Sequence, residues 1–185
     1  MKNNAGFTLM ELIITMVIAA IVVTIGVPSF REIINDNRLT SNANAFVGTL
    51  NLARSETIKR GVRVTVCKSA DGASCTTSGG YEQGWIVFAD PNNPGPTNPT
   101  VDAGEPIIRA YGALSGGLTL IGNATVANYV SFVPAGVSQL IGGGFQADTL
   151  TLCKSGYTTS ARQLVLSRGG RVRVQKMEPA SAAGC

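Results

Sequence analysis

The strongest pattern in the chain is an apolar run near its start. Residues 7–30 read FTLMELIITMVIAAIVVTIGVPSF and contain a single charged side chain, that of Glu11. As a helix this run would be ~36 Å long, which is enough to cross a hydrocarbon core of ~30 Å. Residues 1–6 are short and polar, and Lys2 favours a cytoplasmic start. No small-residue cleavage site follows the run, so the pattern predicts a retained membrane helix.

Residues 31–60 change to a helical period, in which apolar positions recur every three or four residues. Such a stripe gives the helix one apolar face, which can pack on a sheet. Gly61 is a typical helix stop. The pattern predicts a helix that belongs to the folded domain and ends near residue 60. Its predicted buried positions are Leu39, Ala43, Phe46, Leu50, Ala53 and Thr57.

From residue 62 onward the period changes to two. Alternating apolar and polar side chains, separated by glycine and other turn residues, indicate strands. One long helix followed by strands predicts an α+β fold, in which the helix packs on antiparallel sheet. The predicted strands are 62–67, 85–88, 107–110, 118–121, 129–133, 149–153, 163–167 and 171–174.

Composition excludes several kinds of catalytic site. The 185 residues include no histidine, which rules out Ser-His-Asp and Cys-His catalysis and histidine-ligated zinc. No close set of serines and acids suggests another mechanism, so we expect neither an enzyme nor a cofactor. Residues 90–95 (DPNNPG) partly resemble a calcium loop, which Asp102 and Glu105 could complete. Pro94 fills a position where a ligand is needed, so a turn is favoured and no metal site is predicted.

Positive charge is concentrated at the C-terminal end. Residues 151–185 contain six basic side chains and one acidic side chain, whereas residues 1–150 contain nine basic and ten acidic side chains. In the strand at 171–174, Arg171 and Arg173 would share one face ~6.7 Å apart, with Val172 and Val174 toward the core. Such a cluster makes salt-sensitive phosphate contacts that do not read sequence. The candidate DNA-contacting residues are Lys154, Arg162, Arg168, Gly170, Arg171, Arg173 and Lys176.

The glycines of this segment suggest room for a phosphate backbone. Arg168 would lie directly before Gly169 and Gly170, and because these two residues lack side chains, a phosphate backbone could approach them closely. Tyr157 is the one aromatic residue near the basic tail in sequence, which favours backbone contact over base stacking. The alternative is a solvated edge strand whose charges prevent aggregation.

Residues 6–12 (GFTLMEL) resemble the prepilin processing motif of type IV pilins and type II secretion pseudopilins. The resemblance implies that a prepilin peptidase cuts after Gly6 and methylates the new N-terminal Phe7. It also implies that Glu11, a carboxylate that costs ~2.5–3.5 kcal/mol in an apolar segment, pairs with a neighbouring subunit during assembly. Residues 1–6 would be the leader, 7–30 an inner-membrane helix that later joins the pilus, and 31–185 a periplasmic or cell-surface domain. A plain signal anchor is the alternative.

The rest of the chain resembles the GspH/FimT/FimU branch of minor pilins and pseudopilins. Residues 170–173 (GRVR) are similar to the C-terminal G-R-x-R motif of the FimT type, which binds DNA in natural transformation. This resemblance implies a type IV pilin-like fold, with double-stranded DNA and other pilins as partners. The FimU and GspH types imply instead a structural role in a pilus tip or secretion pseudopilus. The segments that carry the resemblance to this branch are 52–57 (LARSET), 84–90 (GWIVFAD), 104–109 (GEPIIR) and 132–136 (FVPAG).

Four cysteines, at positions 67, 75, 153 and 185, would lie beyond the membrane anchor, where disulfides persist. Three pairings are possible. A Cys67–Cys75 bridge closes the shortest loop, which leaves Cys153 to pair with Cys185 and hold the C-terminus. A four-thiolate zinc site is the alternative, although no C-x-x-C spacing occurs.

Overall fold

The computed structural model describes residues 8–91, 98–154 and 160–177. Within these residues one α-helix occurs, α1, which spans Leu9–Arg60. The chain divides into two compact units, one up to Arg38 and one from Leu39 onward. Gly6, Phe7 and Cys185, on which predictions rest, lie outside the described residues.

The first unit consists of the apolar part of α1. Its helical side chains are exposed from Leu9 to Ile34, and the best 18-residue window has a mean hydropathy of 2.5. By length and composition, this is the one described helix that could cross a membrane. The Thr8 hydroxyl oxygen accepts a hydrogen bond from the Glu11 N–H at 3.3 Å and so caps the first turn.

The second unit begins with the predicted amphipathic part of α1. All six stripe positions are buried, which confirms the helical period, and Thr49 is buried on the same face. The helix ends as expected at Gly61, which has φ +68° and donates its N–H to the Thr57 carbonyl oxygen at 3.0 Å. The Thr57 hydroxyl also donates to the Phe132 carbonyl oxygen at 2.9 Å, which fixes the helix end to the sheet.

Two four-stranded antiparallel sheets follow, which confirms the predicted fold class. The first has the order β3-β2-β1-β5 and the second β4-β6-β7-β8. Each predicted strand has a counterpart, and two 3-10 helices, Tyr81–Gln83 and Ala124–Val126, occur between strands. The strands are β1 Val64–Lys68, β2 Trp85–Ala89, β3 Ile107–Tyr111, β4 Leu118–Gly122, β5 Tyr129–Phe132, β6 Thr149–Lys154, β7 Ala161–Leu166 and β8 Val172–Met177.

One main core joins the helix stripe to both sheets. The Phe46 ring lies edge-on to the rings of Tyr81 and Trp85, with centroid distances of 5.2 and 5.0 Å. Leu120 and Leu164 bring the second sheet into the same cluster. Every buried residue of the described part lies at or after Leu39, so a chain that starts at Arg31 retains the whole core and is expected to fold alone.

The predicted Cys67–Cys75 disulfide is present, with a Cα–Cα distance of 5.6 Å. Between the two cysteines, the Asp71 carboxylate accepts hydrogen bonds from the backbone N–H groups of Ala73 and Ser74, each at 2.8 Å. These bonds and those from the Ser74 and Ser69 hydroxyls lower the pKa of Asp71 well below its usual range. The predicted Cys153–Cys185 disulfide stays a prediction, because Cys185 lies outside the described residues.

Candidate functional site

The candidate site is built on the β7–β8 hairpin at the edge of the second sheet. In this hairpin Leu166 pairs with Val172, and a tight turn spans residues 167–171. The Ser167 N–H donates to the Arg171 carbonyl oxygen at 2.9 Å, and the Arg171 N–H donates to the Ser167 hydroxyl oxygen at 3.2 Å. Hydrogen bonds therefore fix the backbone on either side of the turn. We call β7, this turn and β8 the basic hairpin.

Arg171 and Arg173 lie together on the outer face of the basic hairpin, as the alternation of strand residues predicts. Both side chains are exposed, and with Val165, Ser167 and Val172 they line a shallow depression of about 420 Å³. Within the described part of the chain, neither arginine forms an ion pair with an acidic side chain. Their guanidinium groups are therefore available to bind an anionic partner.

Gly170 has a different role from the one expected. Its φ is +72°, and an added Cβ would lie 2.7 Å from the Gly136 carbonyl oxygen and 3.2 Å from the Phe132 ring. The position is buried by the protein itself, so it offers no room for a phosphate. An added Cβ at Gly169 would meet nothing within 4 Å. The open glycine of the turn is thus Gly169, and Gly170 serves packing and turn geometry.

Val174 lies on the core-directed face as expected, opposite the fully buried Leu164, but its side chain is less buried than expected. Val172 packs against the main core, but Val174 is 36% exposed. The strand β8 has a neighbour on one side only, β7, so core contact falls off along it. The apolar anchor of the basic hairpin is Val172 rather than a pair of valines.

Arg162 cannot contact DNA as predicted, because its side chain is turned inward. The residue is only 6% exposed, and its guanidinium donates to the Thr40 hydroxyl at 3.0 Å and to the Ala161 carbonyl oxygen at 3.2 Å. Arg162 therefore ties the second sheet to α1. We remove it from the candidate DNA-contacting residues.

Lys154 and Lys176 lie on the same sheet face as Arg162. Leu152, Arg162 and Lys176 are partners across β6, β7 and β8, and Lys154 is two residues beyond Leu152. Leu152 is fully buried, so this face is directed toward the core. The structure thus places Arg171 and Arg173 on the outer face with Arg168 exposed in the adjoining turn, and the other three basic residues on the opposite face.

Arg168 contacts an aromatic side chain that the sequence patterns did not indicate. Its guanidinium carbon lies 5.3 Å from the centroid of the Phe145 ring, and that ring is 63% exposed. The two residues are far apart in sequence, so proximity along the chain gave no indication of the contact. The available signal was an aromatic residue directly after three consecutive glycines, 142–144, which is typical of a side chain presented by a turn.

Three of the segments that carry the resemblance meet beneath the basic hairpin. The Arg54 side chain donates from Nε to the Gly136 carbonyl oxygen at 2.7 Å. The same oxygen is the atom that an added Cβ at Gly170 would approach to 2.7 Å. The helix, the 132–136 segment and the hairpin turn therefore share one packing point, which positions Arg168 and Arg171 relative to the rest of the domain.

The acidic loop gives no support for a metal site. The Asp90 carboxylate is buried and accepts a hydrogen bond from the Thr65 hydroxyl at 3.0 Å, and burial raises its pKa. The Glu105 carboxylate accepts a bond from the Asp102 N–H at 2.9 Å. Residues 92–97 lie outside the described part, and the described residues contain no group of three metal-ligating side chains.

Two family models match the chain. The model described as "Type II transport protein GspH" matches residues 42–170, and the "Prokaryotic N-terminal methylation motif" matches residues 1–27. The chain belongs to the GspH family. No curated protein sequence matches this GspH-family chain significantly.

Solved structures of a minor pilin show the same fold. The type IV minor pilin FimU of Pseudomonas aeruginosa is 20% identical with a TM-score of 0.53, over 80% of this chain and 95% of that one. A second FimU structure is 19% identical with a TM-score of 0.50, over 79% and 98%. The minor pseudopilin EpsH of the Vibrio cholerae type 2 secretion system is 14% identical with a TM-score of 0.48, over 78% and 99%.

The family assignment and the fold identify the chain as a minor pilin or pseudopilin of the GspH and FimU type. The methylation-motif match and the apolar helix suit membrane anchoring of a pilin. The family and fold are those of structural pilins rather than of enzymes.

Proposed function

We propose that this minor pilin binds double-stranded DNA non-specifically through the basic hairpin and supports DNA uptake in natural transformation. The observation that carries the proposal is the pair Arg171 and Arg173, exposed side by side on the outer sheet face. Arg168 projects from the adjoining turn. The G-R-x-R pattern at 170–173, similar to that of FimT-type minor pilins, supports the same function.

Arginine on a strand suits contact with a phosphate backbone. A guanidinium presents a planar fork of donors to phosphate oxygens, and these contacts are stronger than neutral hydrogen bonds. Contacts to phosphate carry no sequence information, so binding would be similar for all sequences, with Kd of ~10⁻⁴ to 10⁻⁶ M at physiological salt. With one phosphate each for Arg168, Arg171 and Arg173, the slope of log K against log salt would be about −2.7.

In this proposal the rest of the chain delivers the domain to the pilus. A prepilin peptidase would cut after Gly6 and methylate Phe7, and Glu11 would pair with a neighbouring pilin during assembly. The inner membrane would hold the helix before assembly, and the cell surface would display the domain afterwards. No catalytic activity is part of the proposed function.

The second candidate is a structural role in a pilus tip or type II secretion pseudopilus, without DNA binding. The match to the type II transport protein family and the fold shared with the minor pilin FimU favour it. In this case Arg171 and Arg173 would serve to protect the edge strand β8 from pairing with other chains.

The test is a fluorescence anisotropy titration of labelled duplex DNA with the domain that starts at Arg31. The variant Arg171→Gln with Arg173→Gln should weaken binding to all sequences alike and change the salt slope to about −0.9. The matched control removes two charges elsewhere, Lys59→Gln with Arg109→Gln, and should keep the slope near −2.7.

A cellular comparison separates the two candidates. If DNA binding is the function, the double variant at 171 and 173 makes normal pili but loses DNA uptake. Loss of pili together with uptake would favour the structural role. A wild-type domain that binds no DNA at low salt would refute the proposed function.

A further inference from the structure

Phe145 is an exposed aromatic ring with no evident structural reason for its position. Its side chain keeps 63% of its surface accessible even with Arg168 over the ring. A phenylalanine in this state contributes little burial to the core, and a cation–π contact at an exposed site is weak. Its exposure beside Arg168, which lies in the same turn as Arg171, suggests a binding role.

The backbone that carries Phe145 is firmly held. The next residue, Gln146, is fully buried, and its side chain donates at 2.8 Å to the Tyr129 carbonyl oxygen and accepts at 2.9 Å from the Ser131 N–H. Phe145 itself forms a β-bridge with Gln139. The ring is therefore presented from a fixed position, so little ordering entropy is lost when a ligand stacks on it.

The same region is joined directly to the basic hairpin. The Ser138 hydroxyl lies 2.6 Å from the Gln146 carbonyl oxygen and 3.1 Å from the Ser167 carbonyl oxygen. Ser167 also closes the turn that carries Arg168 and lines the depression with Arg171 and Arg173. Hydrogen bonds through Ser138 thus join the surface around the exposed ring to the turn that carries Arg168 and Arg171.

We propose that this surface takes single-stranded DNA, including the unpaired bases at a duplex end, with a base stacked on Phe145 and its neighbouring phosphates held by Arg168 and Arg171. The proposal rests on the proposed DNA binding and adds to its phosphate contacts a stacking site for unpaired bases, which duplex DNA offers only at its ends. A positively charged surface with an aromatic stacking position is the arrangement that binds single strands without sequence preference. An arginine beside the ring adds a second planar group against which a base can stack.

The experiment compares two single-stranded ligands that differ only in their bases. One is oligothymidine of about 20 nucleotides, and the other is an abasic oligomer with the same sugar-phosphate backbone. The domain from Arg31 and the full chain in detergent micelles should both bind oligothymidine roughly 5- to 150-fold more tightly than the abasic oligomer. Phe145→Ala should remove this preference, so that both oligomers bind with the affinity that the wild-type domain has for the abasic oligomer.

Two further variants separate ring stacking from a general apolar contact. Phe145→Leu keeps the apolar bulk but has no ring face, so it should behave like the alanine variant. Phe145→Trp should keep the preference, and its emission should be quenched by oligothymidine and not by the abasic oligomer. The native Trp85 is buried and is the single tryptophan of the chain, so it provides a constant background.

The outcomes distinguish this inference from the proposed function. Equal wild-type binding of the two oligomers, with Arg171→Gln and Arg173→Gln weakening both, would overturn base stacking and leave phosphate binding in place. Absence of binding to any DNA would refute both. Phe145 variants that bind oligothymidine normally but fail to enter pili would identify the ring as a contact to another pilin and would also overturn the inference.

Discussion

Replacing Gly170 by alanine should destabilise the domain, because two independent features of the structure oppose a side chain there. The backbone has φ +72°, where an L-residue is strained, and the new Cβ would lie 2.7 Å from the Gly136 carbonyl oxygen. That oxygen is backbone and is held by Arg54, so it cannot move away cheaply. The Phe132 ring, at 3.2 Å, is fully buried and equally constrained.

The magnitude follows from these two features. Positive φ costs about 1–2 kcal/mol for a residue with a Cβ. Overpacking a tight site costs about 1–3 kcal/mol. Alanine lowers the conformational entropy of the unfolded chain relative to glycine, which offsets about 0.4–1 kcal/mol of this destabilisation. The free energy of unfolding should therefore fall by about 2–4 kcal/mol, which corresponds to a Tm lower by roughly 4–16 °C for a domain of this size.

Urea unfolding of the domain from Arg31, followed by far-ultraviolet circular dichroism, measures this change. The matched control is Gly169→Ala, one residue away in the same turn, where nothing lies within 4 Å and φ is not positive. That variant should stay within about 1 kcal/mol of wild type, on the stable side if it differs. If Gly170→Ala were as stable as Gly169→Ala, the packing role of Gly170 would be refuted.

Three further predictions concern other parts of the chain. Glu11→Gln should insert into the membrane normally but be depleted from sheared pilus fractions, because it removes a charge that is costly in an apolar segment unless paired; normal abundance there would contradict the assembly role. Joint replacement of Cys67 and Cys75 by alanine should lower the free energy of unfolding by about 2–3 kcal/mol in urea titration, and no change would show that the Asp71 turn alone fixes this loop. Burial raises the folded-state pKa of Asp90, so its stabilising contribution is present below its unfolded pKa and is lost as pH rises through the folded value. The stability of Asp90→Asn relative to wild type should therefore increase from about pH 4 to about pH 7 in thermal unfolding, and a flat difference would contradict the raised pKa.

Local patterns were sufficient for the elements of this fold. The three- and four-residue spacing of the stripe on α1 and the period of two after Gly61 are set by helix and strand geometry, and the structure confirms both. The Cys67–Cys75 bridge also followed from local chain closure. Residues 6–12 carried the pilin resemblance, which the methylation-motif match supports.

The presentation of the basic residues was decided by tertiary structure. A count of charges along the chain grouped six basic residues, but strand pairing places Arg162 beside buried Leu152 and directs it to Thr40 of α1. Arg171 and Arg173 remain on the outer face. Which face of a strand is buried depends on its neighbours in the sheet, and a short polar-rich edge strand specifies that choice only weakly.

The contacts of Gly170 and Arg168 also could not be predicted from the sequence. Gly136 and Phe132 press against Gly170, and Phe145 lies under Arg168, although each of these is more than twenty residues away along the chain. Periodicity and motif spacing report on neighbours within one element, whereas these contacts arise where a loop from one sheet packs on a hairpin of the other. The sequence alone determined the elements and the family resemblance; the packing of distant segments decided which side chains form the surface.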